Sequence, residues 1–199
     1  QMCIRDSPER DPYQNTTVQA RTNYQATEDL DLDWTLRYNN GQVGLDNCGG
    51  GTLATGYSCD NPYYWQNTNE LYTRGQARLF LLERSWEQRI GINLSQTNRQ
   101  TSYSDPTAAA NLPTYSVQPF TSQGQQIKVE WINFFHISDY DTITAGMDGK
   151  FNTMTTNNEA FNGLPQLSYG NSMNNGGYYL QNELNWLERL HTTLGGRID

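Results

Sequence analysis

The residues of this 199-residue sequence best equipped for chemistry are three cysteines and two histidines, with a few close-spaced carboxylates and glycines. Cys48 and Cys59 bracket the ten-residue stretch GGGTLATGYS, and glycines on that stretch give the chain freedom to turn back on itself. This spacing suits a disulfide in an oxidising compartment, with two free thiols as the alternative. A zinc site would need two further ligands nearby, and the histidines, His136 and His191, are far away in sequence. Neither histidine has a serine or cysteine arrangement to serve, so both read as ordinary polar residues. The run CGGGT at Cys48–Thr52 is not a phosphate-binding loop, because no Gly-Lys-Ser/Thr follows it. Asp139 and Asp141, in DYD, fit a turn cap better than a cation site, and no EF-hand ligand series is present. The expectation is a protein that is not an enzyme, with no cofactor and no metal centre.

Composition narrows the class. The sequence has 35% hydrophobic residues, 12% aromatic residues and 17% charged residues, with 13 Tyr and 5 Trp. Mean hydropathy is −0.81. So many aromatics argue against the disorder that low hydropathy would suggest. Asn, Gln, Gly, Thr and Ser supply the polarity, a mixture common in secreted and outer-membrane β proteins. No stretch approaches the ~20 apolar residues of a transmembrane helix. A net charge of −8 disfavours nucleic acid as a partner, since phosphate binding needs a basic stripe.

The elements that must position any site are strands. From Thr17 onward apolar and polar residues alternate with a period of two. LDLDWTLRY sets Leu30, Leu32, Trp34, Leu36 and Tyr38 against Asp31, Asp33, Thr35 and Arg37. The same separation runs through TVQARTNYQ, LYTRGQARLFL, WEQRIGINLS, IKVEWINFF, TITAGMDGKF, YYLQNELNW and LHTTLGGRI, although Ile132 and Phe134 interrupt the polar face of their segment. Eight amphipathic strands are predicted. Short connections near Ala26–Asp29, Glu83–Ser85, Ile137–Tyr140 and Glu188–Arg189 alternate with long ones near Gly41–Glu70, Gln100–Gly124 and Asn152–Gly176.

That rhythm predicts an all-β antiparallel up-and-down meander belonging to a transmembrane β-barrel. Its strands would be near 10 residues, with short periplasmic turns, long extracellular loops, an apolar outside and a polar inside. Trp34, Trp86, Trp186, Phe135, Phe151 and Tyr24 lie on the apolar face as interfacial girdles would. A soluble β-sandwich explains the alternation equally well. It does not explain the loop asymmetry or the midstrand charges Arg74 and Arg78. The first strand would descend from the outside and the eighth climb back to it, whereas bacterial barrels keep both termini in the periplasm. An open curved sheet, part of a larger barrel, is therefore expected. The opening QMCIRDS resembles a sequencing-library adapter translated in frame, so residues 1–7 are expected to pack against nothing and 8–199 to be a barrel fragment without a plug domain.

The runs QQIKVEWINFF, YDTITAGMDGKF and YYLQNELNWLERLHTTLGGRID resemble the barrel of TonB-dependent outer-membrane receptors, over most of Tyr13–Asp199. The resemblance implies residence in a Gram-negative outer membrane and contact with its lipid. It implies uptake of a scarce ligand such as a siderophore or cobalamin, and energy from the TonB complex through a plug that this stretch lacks. Ligand contacts in such a receptor would come from loop tips and the upper lumen. Tyr57, Tyr63, Tyr64, Trp65, Tyr103, Tyr115, Phe120 and Tyr169 are the candidates, with a Cys48–Cys59 loop holding Tyr63–Trp65 near the mouth. The competing functions are a passive porin and a secreted, soluble β-rich binding domain.

Overall fold

The computed structural model describes residues 12–45, 64–103, 120–158, 165–186 and 190–199. Eight strands follow one another: β1 (Tyr13–Thr27), β2 (Leu30–Gly44), β3 (Tyr64–Leu81), β4 (Trp86–Tyr103), β5 (Phe120–Ser138), β6 (Asp141–Asn158), β7 (Leu167–Trp186) and β8 (Leu190–Ile198). Each pairs antiparallel with the next in a single sheet of order β1 to β8, and β1 does not pair with β8. The expected open meander is observed. Its described turns are Glu28–Asp29, Leu82–Ser85 and Asp139–Tyr140. Residues 1–11, with the adapter-like opening, and both Cys48 and Cys59 lie outside the described residues.

Seven of the eight strands are longer than the expected ten residues, from 15 in β1 and β2 to 20 in β7, while β8 has 9. The extra length lies at the end away from the described turns, in stretches such as Gln66–Glu70, Gln96–Gln100 and Thr153–Asn158. There both faces carry amides and hydroxyls, so the period-two signal vanishes and the sequence reads as loop. Backbone pairing continues regardless, for instance Asn69↔Asn98 and Thr121↔Asn157.

The register puts all apolar alternates on one face. Leu32, Ala77, Ile90, Trp131, Met147 and Tyr178 form one continuous cross-strand row. That row lies second from the bottom of the apolar band in β2, which spans Leu30–Tyr38, and at the top of the band in β7, which spans Tyr178–Trp186. The band thus slides along the register as the sheet is crossed, as tilted barrel strands require. Eight steps of about 3.4 Å, tilted by about 40°, give it a height of about 20 Å, close to the ~25 Å apolar belt of outer-membrane barrels.

Among the described residues no second layer covers this band. Trp34, Ile90, Ile92, Trp131, Phe151, Leu180 and Trp186 are all exposed, and among the described residues Tyr64 is the only buried large hydrophobic side chain. A soluble sandwich would bury these residues between two sheets.

Candidate functional site

The polar face holds the charge. All nine Arg and Lys residues on described strands (Arg21, Arg37, Arg74, Arg78, Arg89, Arg99, Lys128, Lys150 and Arg197) occupy its register positions. Side chains on this face touch across two strands. Arg74 of β3 meets Glu130 of β5 at 2.9 Å, and Arg197 of β8 meets Asp148 of β6 at 2.7 Å. Strands two apart are separated by about 9.6 Å, so such contacts mark the concave side, where side chains converge.

Glycines make the crossings possible. Gly91 of β4 lies beneath the Arg74–Glu130 pair, and a Cβ there would meet Glu130 Cγ at 3.0 Å. Gly177 of β7 lies beneath Arg197 as it reaches Asp148, with a Cβ 2.9 Å from Arg197 Cζ. On β6, the Tyr179 ring crosses Gly146, where a Cβ would come within 2.7 Å of Cε1. The sequence signal was available: each is a glycine at a polar-face position inside an amphipathic strand, which marks a close approach.

From the described turns upward the concave face changes character. Nearest the turns, Glu87 is almost fully buried, bonded bidentately by Arg78 at 2.7 and 2.9 Å and by Arg89 at 2.5 Å. Arg89 caps the Phe134 ring at 4.5 Å, and Arg78 and Arg84 stack on Phe80 at 4.5 and 4.3 Å. The apolar interruption at Phe134 is thus a platform for a guanidinium. Midway lie Arg21–Asp33, Arg74–Glu130–Lys128 and Arg197–Asp148. These charges are neutralised in place.

Lys150, in register with Lys128, has no hydrogen bond or ion pair among the described residues, and higher up the pairing stops altogether. Arg37 of β2 is exposed and, among the described residues, has no hydrogen-bond or ion-pair partner. It lines a concavity of about 560 Å³ with Gln19, Thr35, Asn39, Glu70, Tyr72, Ser95 and Thr97. Glu70 is taken by Asn39 Nδ2 at 3.2 Å, and the Tyr72 hydroxyl donates to Asn93. Arg99, four residues beyond Ser95 on β4, is exposed and equally unpartnered. The concavity therefore offers an unpaired guanidinium, the Glu70 carboxylate held by an amide alone, a phenol and neutral donors. Sequence reasoning missed Arg37 because it alternates like any other polar-face residue; what marks it is the lack of a partner, which it shares with Arg99, together with its place in the concavity.

The aromatic candidates fall into two groups. Tyr57, Tyr63 and Tyr115 lie outside the described residues. Tyr64, Trp65, Tyr103, Phe120 and Tyr169 are strand residues at the ends away from the described turns, rather than loop residues. Tyr64 and Trp65 take opposite faces as neighbours on β3. Tyr64 pairs in register with Tyr103, Tyr169 is 59% exposed on the concave face, and Phe120 backbone groups bond both ways to Thr101 Oγ1. The five are spread over β3, β4, β5 and β7. His136 contacts Thr142 and His191 contacts Asn185, and Asp141 accepts from Asn182 at 2.6 Å.

Comparison with solved structures places this architecture. Over 96% of its length the chain matches 29% of the ferric yersiniabactin uptake receptor of Yersinia pestis, with a TM-score of 0.67 at 12% identity. The chain has the fold of an arc of a siderophore-receptor barrel. It likewise matches the ferric-catecholate import receptor Fiu of E. coli K12 (TM-score 0.60, 12% identity, 98% of this chain, 36% of that one). The siderophore receptor PiuA of Acinetobacter baumannii gives a TM-score of 0.57 at 10% identity, over 88% of this chain and 30% of that one. The chain spans about a third of the length of these receptors. No protein-family model and no curated protein matches the sequence. The receptor-barrel fold is the one that the resemblance to TonB-dependent receptors implied, and the neighbours are transport receptors rather than enzymes.

Proposed function

We propose that this chain is an arc of a TonB-dependent outer-membrane receptor of a Gram-negative bacterium, taking up an anionic ferric chelate. The apolar band faces lipid, the concave polar face lines the lumen, and flanking strands of a longer barrel pair with the free edges of β1 and β8. A plug and the TonB complex belong to the same proposal, as does a Cys48–Cys59 disulfide in the loop that precedes β3. The observation that carries it is Arg37, which among the described residues has no hydrogen-bond or ion-pair partner, above a layer of ion pairs in a concavity of the concave face. A guanidinium not committed to an ion pair, although Glu70 lines the same concavity, suits the oxygen-rich, negatively charged surface of a ferric citrate or ferric catecholate complex. Tyr72 beside it supplies an amphipathic ring.

The test is uptake of radiolabelled iron in cells carrying the intact receptor, with ferric citrate, a ferric catecholate and cyanocobalamin as separate probes. Arg37→Gln is expected to lower uptake of a ferric probe about tenfold, leaving the folded barrel's electrophoretic mobility unchanged. Unaltered ferric uptake, or transport of cyanocobalamin alone, would overturn the chelate reading. Uptake without energy coupling would favour a passive porin.

A further inference from the structure

Glu70 of β3 stands on the concave face between Arg37 and Arg99. The register there pairs Arg37 with Tyr72, Asn39 with Glu70, Glu70 with Thr97 and Thr68 with Arg99. Each arginine is therefore one diagonal step from Glu70, about 7–8 Å along the sheet and within reach of a long side chain. Neither is bonded to it. Glu70 Oε2 accepts from Asn39 Nδ2 at 3.2 Å, and Oε1 has no partner among the described residues. Carboxylates lower on the same face behave otherwise: Asp33, Glu87, Glu130 and Asp148 each hold a guanidinium or an ammonium. Glu70 and Arg37 line one concavity of about 560 Å³, so its wall carries both signs of charge with neither neutralised by the other. All three side chains are exposed.

We propose that this concavity selects a ferric chelate whose anionic core carries a free ammonium group, as an amino-acid chelator would. The inference rests on the chelate reading above and narrows its substrate class. Arg37 and Arg99 supply charge-assisted donors to the anionic oxygens, and Glu70 Oε1 accepts from the ammonium. A chelate of anionic oxygen alone would meet the two guanidinia but also one like charge, and Glu70 is the element that discriminates against it. A simple organic cation would gain Glu70 and face both guanidinia. Only a ligand of mixed charge satisfies all three groups.

The test is calorimetric titration of the intact receptor with three probes: ferric tris(dihydroxyphenylalanine), the ferric complex of N-acetyl-dihydroxyphenylalanine, and metal-free dihydroxyphenylalanine. The two ferric complexes share a catecholate core and a carboxylate, and only the first has an ammonium. It should bind about tenfold more tightly than the acetylated complex and than the metal-free amino acid. Glu70→Gln keeps an acceptor for Asn39 and should weaken the ammonium-bearing complex about tenfold while strengthening the acetylated one. Glu183→Gln, on the same face near the described turns, should leave both affinities unchanged. Equal affinity of the two ferric complexes, an unchanged ratio in Glu70→Gln, or the same shift in Glu183→Gln would each overturn the proposal. Equal binding of the metal-free amino acid would overturn it too, in favour of a free zwitterion. If neither ferric complex bound, the chelate reading itself would fall and this inference with it.

Discussion

Tyr179 and Gly146 show how a missing side chain shapes the lumen wall. The phenol ring lies where the Cβ of any other residue at 146 would be. Gly146→Ala must therefore expel the ring, at a cost of about 1–2 kcal/mol in reversible unfolding from lipid vesicles. Because the cost arises from this one contact, the Gly146→Ala/Tyr179→Ala double variant should be no less stable than Tyr179→Ala alone. Additive losses would mean that the ring is not what the glycine accommodates. The alternation of Arg74, Arg78 and Glu130 with apolar neighbours was legible in the sequence, and so was their common face. Which carboxylate each arginine meets was not, because Arg74 skips the adjacent strand for Glu130 and only the curvature of the sheet sets that partner. Arg37 was illegible for the converse reason, since lacking a partner leaves no trace in spacing.

Strand existence, order and facing followed from the period-two pattern, while strand ends did not. Where one face is apolar, as over Trp86–Leu94, the pattern locates the strand to the residue. Where both faces are polar, as over Gln96–Ser102, it falls silent, and the strand aromatics Tyr64, Trp65, Tyr103, Phe120 and Tyr169 stand in stretches that read as loop. The same contrast predicts a difference in tolerance along one strand. Ile90 lies at the centre of the apolar band of β4, and Ile90→Arg should cost ~2–4 kcal/mol in bilayers, the range for a cation at the midplane of a barrel wall. Gln100→Arg, ten residues further along the same outward face, should change stability by less than about 0.5 kcal/mol. Equal effects at the two positions would remove the distinction between the band and the polar stretch above it. The connection expected near Glu83–Ser85 is the turn Leu82–Ser85, but its backbone was not foreseeable: Leu82, Glu83 and Arg84 hold positive φ, at 52°, 54° and 70°, without a glycine among them. Ser85 ties the turn off, its backbone N–H and hydroxyl both donating to the Leu82 carbonyl.

Taken as one object, the sheet has a face of exposed hydrophobics with nothing packed on it and a concave face of ion pairs bridged over glycines. Burying the first against lipid and the second around an aqueous lumen satisfies both at once. This is the central claim, and site-directed spin labelling across β4 tests it directly. In the intact receptor, with native cysteines replaced by serine and single cysteines introduced at each position from 86 to 102, nitroxide collision rates with oxygen and with a water-soluble nickel chelate are measured in bilayers. From 86 to 94, oxygen accessibility should peak at the even positions and nickel accessibility at the odd ones. From 96 to 102, nickel should reach both faces. Nickel accessibility at Ile90 and Ile92 equal to that at Asn93, or protection of both faces throughout, would contradict a membrane-spanning barrel wall.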